Sequence, residues 1–269
     1  MDIGVTNECQ YLYHYTRLDT AEDFILPNQN LRFSRYQKTN DPKERKDWFF
    51  SAGSNQGRDL RKYTPEYLSK IMNPVLKGRT HVLCFSTDGN LTGDHITDLP
   101  NRGFCMARMW AQYGDDHKGV CLVYGYKQLS ESIMKQLSEK TFREKRVRYL
   151  DISVGEIITD PAYMVNIDCL EDWGKSEYAF SHGQHYFERL YFEKAKDWSG
   201  EREHRWVVFD SEEEIYVSTK RCLVGIMFGA EVDQKSINRI VELTKSYTIF
   251  YRQLKWRNCT PWYDYANNF

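Results

Sequence analysis

The sequence predicts an α+β fold in a single domain. Three observations predict it. Short aromatic or apolar runs of strand length recur along the chain (YLYHYT, LRFS, THVLCFS, GVCLVYGY, LVGIMFG). Segments with helical spacing fall between them at irregular intervals. No internal repeat or low-complexity linker divides the chain. Residues 1–269 are therefore one unit, long enough to bury a sizeable core, with 156–190 as a possible helical, aromatic-rich insertion.

The elements follow in order. YLYHYT (11–16) is short and aromatic, which suits a strand, and Arg17 and Asp19 end it. LDTAEDFI reads as a helix capped by Asp19 or Thr20, with Ala21, Phe24 and Ile25 on one face and Pro27 and Asn28 as its stop. LRFS is a second strand. In KTNDPKE, Asp41 can cap a helix opening at Pro42, Glu44 completes a capping-box-like pattern, and ERKDWFFSAG continues the helix. Residues 52–66 are a loop or a weak helix. PEYLSKIMNPVL is a helix with Tyr67, Ile71 and Val75 along one side, THVLCFS a buried strand, and DGNLTGDHITDLPNRG an exposed loop. FCMARMWAQYG is a helix ended by Gly114, and GVCLVYGY another buried strand. A helix over 127–142 leads to a strand, KRVRYLD. After the insertion, a helix or loop gives way to a strand from about His204. The strands EIYVS and LVGIMFG, the amphipathic helix KSINRIVELTK and an edge-type strand, TIFYRQLKW, complete the chain.

Bulk composition narrows the function classes. The formal net charge of -1, from 37 basic and 38 acidic residues, excludes a global basic field for nucleic acid. Aromatic residues make up 15%, which suits aromatic cores or pockets that stack flat ligands. The seven cysteines (9, 84, 105, 121, 169, 222 and 259) contain no CxxC pair and mostly sit in apolar runs, as expected for free thiols in a reducing cytoplasm. MDIGVTNECQ lacks the pattern of a signal peptide, and no window reaches the roughly 18 apolar residues of a membrane span.

The candidate chemistry is sparse. His14 and Thr16 lie two apart on a strand, so they face one side and could address one ligand, although a strand histidine can also be purely structural. Glu201, Glu203 and Arg205 alternate in GEREHRW. They form either a solvated, cross-paired strand face or a carboxylate set that orients a hydroxyl or stabilises a developing cation, with Arg205 fixing its position. Trp110 and Tyr113 have the i, i+3 spacing of core packing, and Gln112, His117 and Lys118 follow at the helix end. His182 and His185 in HGQH have no third ligand nearby, so no metal is expected. Phosphate-loop, dinucleotide-loop, zinc-protease and nucleophile-elbow signatures are absent. The basic run 143-REKRVR-148 is either a phosphate contact or a solvated strand edge.

Together, LYHYT, LRFS with NDPKE, CFS, MWAQYGDDHKGVCL and EREHRWV resemble a widespread bacterial family, domain-of-unknown-function family 2971 (DUF2971), over roughly residues 11–230. The order strand-His-x-Thr, short helix, second strand more loosely resembles the ADP-ribosyltransferases, including their DNA-modifying toxins. The ending TPWYDY is similar to the Trp-Tyr ending of those toxins. That second resemblance implies a split antiparallel β core with peripheral helices. It also implies cleavage of NAD+ at the nicotinamide-ribose bond, with NAD+ as substrate and no metal. The triad it implies falls on His14, then Ser34, Tyr36 or Ser86, then Glu203 or Glu201. Thr16 would assist His14 at the ribose, Tyr13, Tyr15 or Tyr36 would stack on nicotinamide, and Arg32 or Arg35 would take the pyrophosphate. Trp110, Tyr113 and Arg205 complete the implied contacts.

The function expected on this basis is an NAD+-consuming transferase or glycohydrolase, cytoplasmic and without membrane attachment, acting as a toxin or anti-phage effector on a protein or nucleic-acid acceptor. A partner or regulator protein could accompany it. A non-catalytic nucleotide- or protein-binding module and a nucleic-acid-modifying or nuclease-like enzyme are the alternatives.

Overall fold

The computed structural model describes residues 10–263; Cys9 with the rest of the first nine residues, and Asp264 and Tyr265 of TPWYDY, lie outside them. The strands in chain order are β1 (Tyr11–Thr16), β2 (Asn30–Arg32), β3 (Ser34–Arg35), β4 (Ser51–Gly53), β5 (His81–Ser86), β6 (Val120–Gly125), β7 (Phe142–Arg146), β8 (Arg148–Tyr149), β9 (Met164–Asn166), β10 (Glu193–Lys194), β11 (Glu203–Val208), β12 (Tyr216–Ser218), β13 (Leu223–Phe228), β14 (Phe250–Arg257) and β15 (Thr260–Tyr263). The helices are α1 (residues 18–28), α2 (Pro42–Arg45), α3 (Pro65–Asn73), α4 (His95–Asp98), α5 (Ala107–Tyr113), α6 (Tyr126–Gln136), α7 (Val154–Thr159), α8 (Ile167–Trp173), α9 (Lys175–His185), α10 (Phe187–Tyr191) and α11 (Gln234–Leu243).

Nine strands form the main sheet, in the order β15-β14-β13-β6-β1-β5-β11-β7 with β3 beside β5. Most neighbours are antiparallel, but β13 and β14 run parallel, so the sheet is mixed and not the wholly antiparallel core expected. The long connection that makes this pair parallel carries α11, whose Ile237 and Ile240 are buried against the sheet. TIFYRQLKW is not an edge strand, because β15 folds back and pairs with it.

Strand alternation divides the core between two faces. Leu12, Leu83, Phe85, Leu122, Trp206 and Ile226 point to one face and pack with α1, α6 and α11. The other face carries two separate clusters. One joins Val82 and Val207 to α3 and the 162–192 helices. The second joins Tyr13, Tyr15, Cys121 and Met227 to residues 99–110.

Several local expectations are corrected. The helix after Pro42 ends at Arg45; the chain then extends, burying Trp48 and Phe50, and residues 51–53 pair with β9. The alternating burial of that stretch, not its composition, marks it as extended. In α3 the buried stripe is Leu68 and Met72, continued by Leu76, while Tyr67 is exposed. Helix α1 runs through Pro27 to Asn28 and leaves Phe24 exposed. The expected helix 127–142 stops at Gln136, and the strand expected at 145–151 starts earlier and breaks around Val147. DGNLTGDHITDLPNRG is not a simple exposed loop. Asp98 is buried and accepts hydrogen bonds from the Thr92 and Gly93 N–H groups, which folds the segment back on itself.

Candidate functional site

The sheet is split between β1 and β5. These strands pair only at Tyr13 and Ser86. At its other end β5 pairs with β3, through Val82 and His81. Between the two pairings, residues 83–85 face a gap. A half-open cavity of about 240 Å³ occupies it, lying between the two clusters of the divided face. Aromatic side chains from Tyr13, Tyr15, Phe85 and Tyr113 line its wall, and exposed Arg32, Ser34 and Lys38 stand at its mouth.

The floor is a buried charge network. Arg205 donates Nε to Glu203 Oε1 at 2.7 Å and Nη2 to Glu203 Oε2 at 2.6 Å, a bidentate pair. Its Nη1 reaches Glu44 Oε1 at 2.7 Å and the Tyr191 carbonyl at 2.8 Å. Lys194 Nζ lies 2.8 Å from both Glu203 Oε2 and Glu201 Oε2. Tyr113 OH donates to Glu201 Oε1 at 2.9 Å. All five charged side chains are at most 6% exposed. The solvated-face reading of Glu201, Glu203 and Arg205 is therefore corrected. Burying such groups is tolerable only because each finds a counter-charge and a hydrogen bond.

Local structure explains the convergence. Glu203 and Arg205 alternate onto one face of β11, opposite Ser86 and Cys84 of β5. Lys194 arrives on β10, held parallel to β8. Glu201 does not lie on β11; it ends the 3-10 turn Lys196–Glu201, and Arg202 at φ 46 swings the chain into the strand. Glu44 is carried by α2, whose N-cap Asp41 accepts from Lys43 N at 2.8 Å.

The two carboxylates titrate in opposite directions. Burial raises Glu201 above its ordinary value, and Lys194 only partly offsets this. Burial would also raise Glu203, but Arg205 and then Lys194 overcome it and hold Glu203 well below the carboxylate range. Lys194 stays protonated because Glu203 and Glu44 outweigh its burial. Burial lowers His14.

Of the residues the sequence singled out, Tyr13, His14, Tyr15, Arg32, Ser34, Ser86, Tyr113, Glu201 and Glu203 line the cavity, and Arg205 lies behind Glu203. Alternation places His14 on the sheet face opposite Glu203, and both line the cavity at the gap. His14 Nδ1 lies 3.4 Å from the Cys84 carbonyl, across that gap. Thr16 shares the His14 face but is buried beyond the cavity. Tyr36 is buried in the cluster under α3, its hydroxyl donating to the Leu190 carbonyl. Trp110 packs edge-on beneath Tyr15 and donates to the Phe104 carbonyl. Arg35 turns to the Gly78 and Glu212 carbonyls.

Sequence reasoning missed Glu44 and Lys194. Charge balance was the available signal. Two carboxylates and one guanidinium on an otherwise apolar strand require another cation from elsewhere in the chain. Neither its position nor that of Glu44 follows from local spacing.

Residues 109–206 match the model of a family described as Protein of unknown function (DUF2971). The matched DUF2971 stretch holds Tyr113, Lys194, Glu201, Glu203 and Arg205, whereas His14 and Glu44 lie outside it. No curated protein and no solved structure matches the chain. Among the described residues, no helix is long and apolar enough to cross a membrane. In the basic run 143–148, Lys145 pairs with Glu188 and Arg148 with Glu193 while both stay exposed, Arg143 lies over the Phe187 ring, and Arg146 is exposed. His182 Nε2 lies 2.9 Å from the Ala162 carbonyl within the helical packing.

Proposed function

We propose that the cavity takes the nicotinamide-ribosyl end of NAD+ and that this chain consumes NAD+, by transfer of ADP-ribose or by hydrolysis. The observation that carries the reading is the cavity itself: a half-open, aromatic-walled gap with a carboxylate pair on its floor and cations at its mouth. Its volume is below the range of about 300–1,000 Å³ that holds a whole drug-sized ligand. The reactive end alone therefore enters, and the diphosphate lies toward Arg32 and Lys38.

In this reading the bond between ribose C1′ and the nicotinamide nitrogen breaks, and its electron pair leaves with nicotinamide. The positive charge left on the ribose faces the carboxylates, which stabilise it as it develops. Water or an acceptor then bonds to C1′ and loses its proton. Glu201 is the carboxylate suited to receive that proton, since burial raises it above the ordinary carboxylate value, while Glu203 stays ionised between Arg205 and Lys194. The split sheet, with His14 beside the gap and Glu203 on a late strand, supports the ADP-ribosyltransferase-like reading of the fold. A toxin or anti-phage role, with a macromolecular acceptor, extends the same proposal.

The test is nicotinamide release from NAD+ by purified protein, followed by chromatography. Glu201→Gln is expected to lower the rate by about 100-fold or more while leaving the protein folded. An unchanged rate in Glu201→Gln overturns the assignment. A second reading, a nucleotide-binding module without turnover, draws on the occupancy of both Glu203 oxygens by Arg205 and Lys194. Thermal stabilisation by NAD+ with no product would select it.

A further inference from the structure

Beside the Tyr13 hydroxyl on its aromatic wall, two further buried polar atoms in this cavity have no hydrogen-bond partner among the described residues: Glu44 Oε2 and Ser86 Oγ. Both side chains line the cavity, and they are 1% and 2% exposed. Every other carboxylate oxygen of the floor is occupied. Glu203 uses both oxygens on Arg205 and Lys194, and Glu201 uses its two on Tyr113 and Lys194. Leaving a buried carboxylate oxygen or hydroxyl unpaired costs about 1–3 kcal/mol, and more for a charged group. A built site with open acceptors is therefore present beside Glu203. Ser86 faces Glu203 across the β5–β11 register, and Glu44 reaches it through Arg205.

The chemistry of the open atoms defines the ligand group. A carboxylate oxygen only accepts, so the group that meets Glu44 must donate. A hydroxyl both donates and accepts, so Ser86 suits a second hydroxyl. The floor holds three carboxylates against two cations, which disfavours an anion there. The cations that could take a phosphate, Arg32 and Lys38, stand at the mouth instead.

We propose that Glu44 and Ser86 form an inner subsite for the vicinal hydroxyls of a ribosyl group, which enters sugar first with its phosphate held at the mouth. This deepens the NAD+ reading by naming the part of the substrate recognised and the residues that recognise it, and it assigns Glu44 a role in binding.

The experiment compares ribose 5-phosphate, 2-deoxyribose 5-phosphate and inorganic phosphate by calorimetry on the wild-type protein. The two sugar phosphates differ in one hydroxyl, so equal electrostatics isolate the subsite. Ribose 5-phosphate is expected to bind at least about tenfold more tightly than the deoxy sugar, with inorganic phosphate weaker than both. Ser86→Ala, which removes a hydroxyl that bonds to no described residue, should fold normally and narrow the difference between the two sugars. Glu44→Gln should do the same, with its fold checked by circular dichroism because Arg205 loses a charged partner. Equal affinity for the two sugars, no binding of either, or a difference untouched by Ser86→Ala would each overturn the subsite. Turnover is not involved. Sugar discrimination without nicotinamide release would therefore retire the reaction and keep the subsite, and release without discrimination would do the reverse.

Discussion

At the scale of single residues, Lys194 is the hinge of the charge balance. It touches both Glu201 and Glu203, and without it three buried carboxylates face one guanidinium. Breaking such a set by removing one partner costs more than the set itself contributes, because a charge is left buried and unpaired. Lys194→Met is accordingly expected to destabilise the protein by about 3–5 kcal/mol. Neutralising Glu201 as well should return part of that loss, since Glu201 is already raised by burial and gives up its charge most readily. Urea unfolding of Lys194→Met, Glu201→Gln and the double variant tests this. Strictly additive losses would show that the two side chains do not share one network. The same residue shows where sequence reading stops. The alternation of Glu201, Glu203 and Arg205 was visible, but the partners that make it a network come from positions 44 and 194, on elements with no spacing relation to β11.

At the scale of elements, most strands were legible and their boundaries with helices were not. YLYHYT, THVLCFS and GVCLVYGY form β1, β5 and β6 because short aromatic and β-branched runs fit a pleated, buried surface. The stretch after Pro42 misled because Asp41 and Pro42 are strong helix-start signals that say nothing about length; one turn suffices to deliver Glu44. The split between β1 and β5 has no sequence signature, since it depends on where each strand stops pairing. Its wall is held by a close approach that can be tested. A Cβ added to Gly103 would lie 2.1 Å from Cδ2 and 2.4 Å from Cε2 of the Tyr13 ring. That ring is buried and lines the cavity, and the Gly103 carbonyl also accepts from Tyr15 OH at 2.6 Å. Gly103→Ala is expected to cost about 1–3 kcal/mol and to weaken ligand binding by displacing both tyrosines. Gly78→Ala, where an added Cβ meets nothing within 4 Å, is the matched control and should change neither. Equal behaviour of the two variants would show that the Tyr13 wall yields freely.

At the scale of the whole molecule, the buried titratable groups set how stability follows pH. Burial lowers His14 and His81, and it lowers His182 from its ordinary 6.5 to about 4, with a nearby His185 adding to the effect. A histidine whose folded value lies below its unfolded one binds its proton more readily in the unfolded chain. Stability therefore rises with pH through that window and is fully present above 6.5. For His182 the window runs from 6.5 down to about 4 and corresponds to at most about 3 kcal/mol. Glu203 acts in the same direction but lower, since its folded value is depressed below the ordinary 4.5, and its contribution is lost only as pH falls beneath that value. Glu201 opposes both: its raised value makes the folded state hold a proton that the unfolded chain releases, so its contribution falls as pH rises above 4.5. The sum is a protein that weakens on mild acidification through its histidines before any carboxylate network fails. His182→Gln can retain a hydrogen bond to the Ala162 carbonyl, so it isolates the titration from the contact. Urea unfolding from pH 4 to 7 should show a shallower rise for His182→Gln than for wild type, by close to one proton over the middle of that window. An unchanged slope would mean that His182 titrates alike in the folded and unfolded chains, and acid sensitivity between pH 4 and 7 would then belong to His14 and His81.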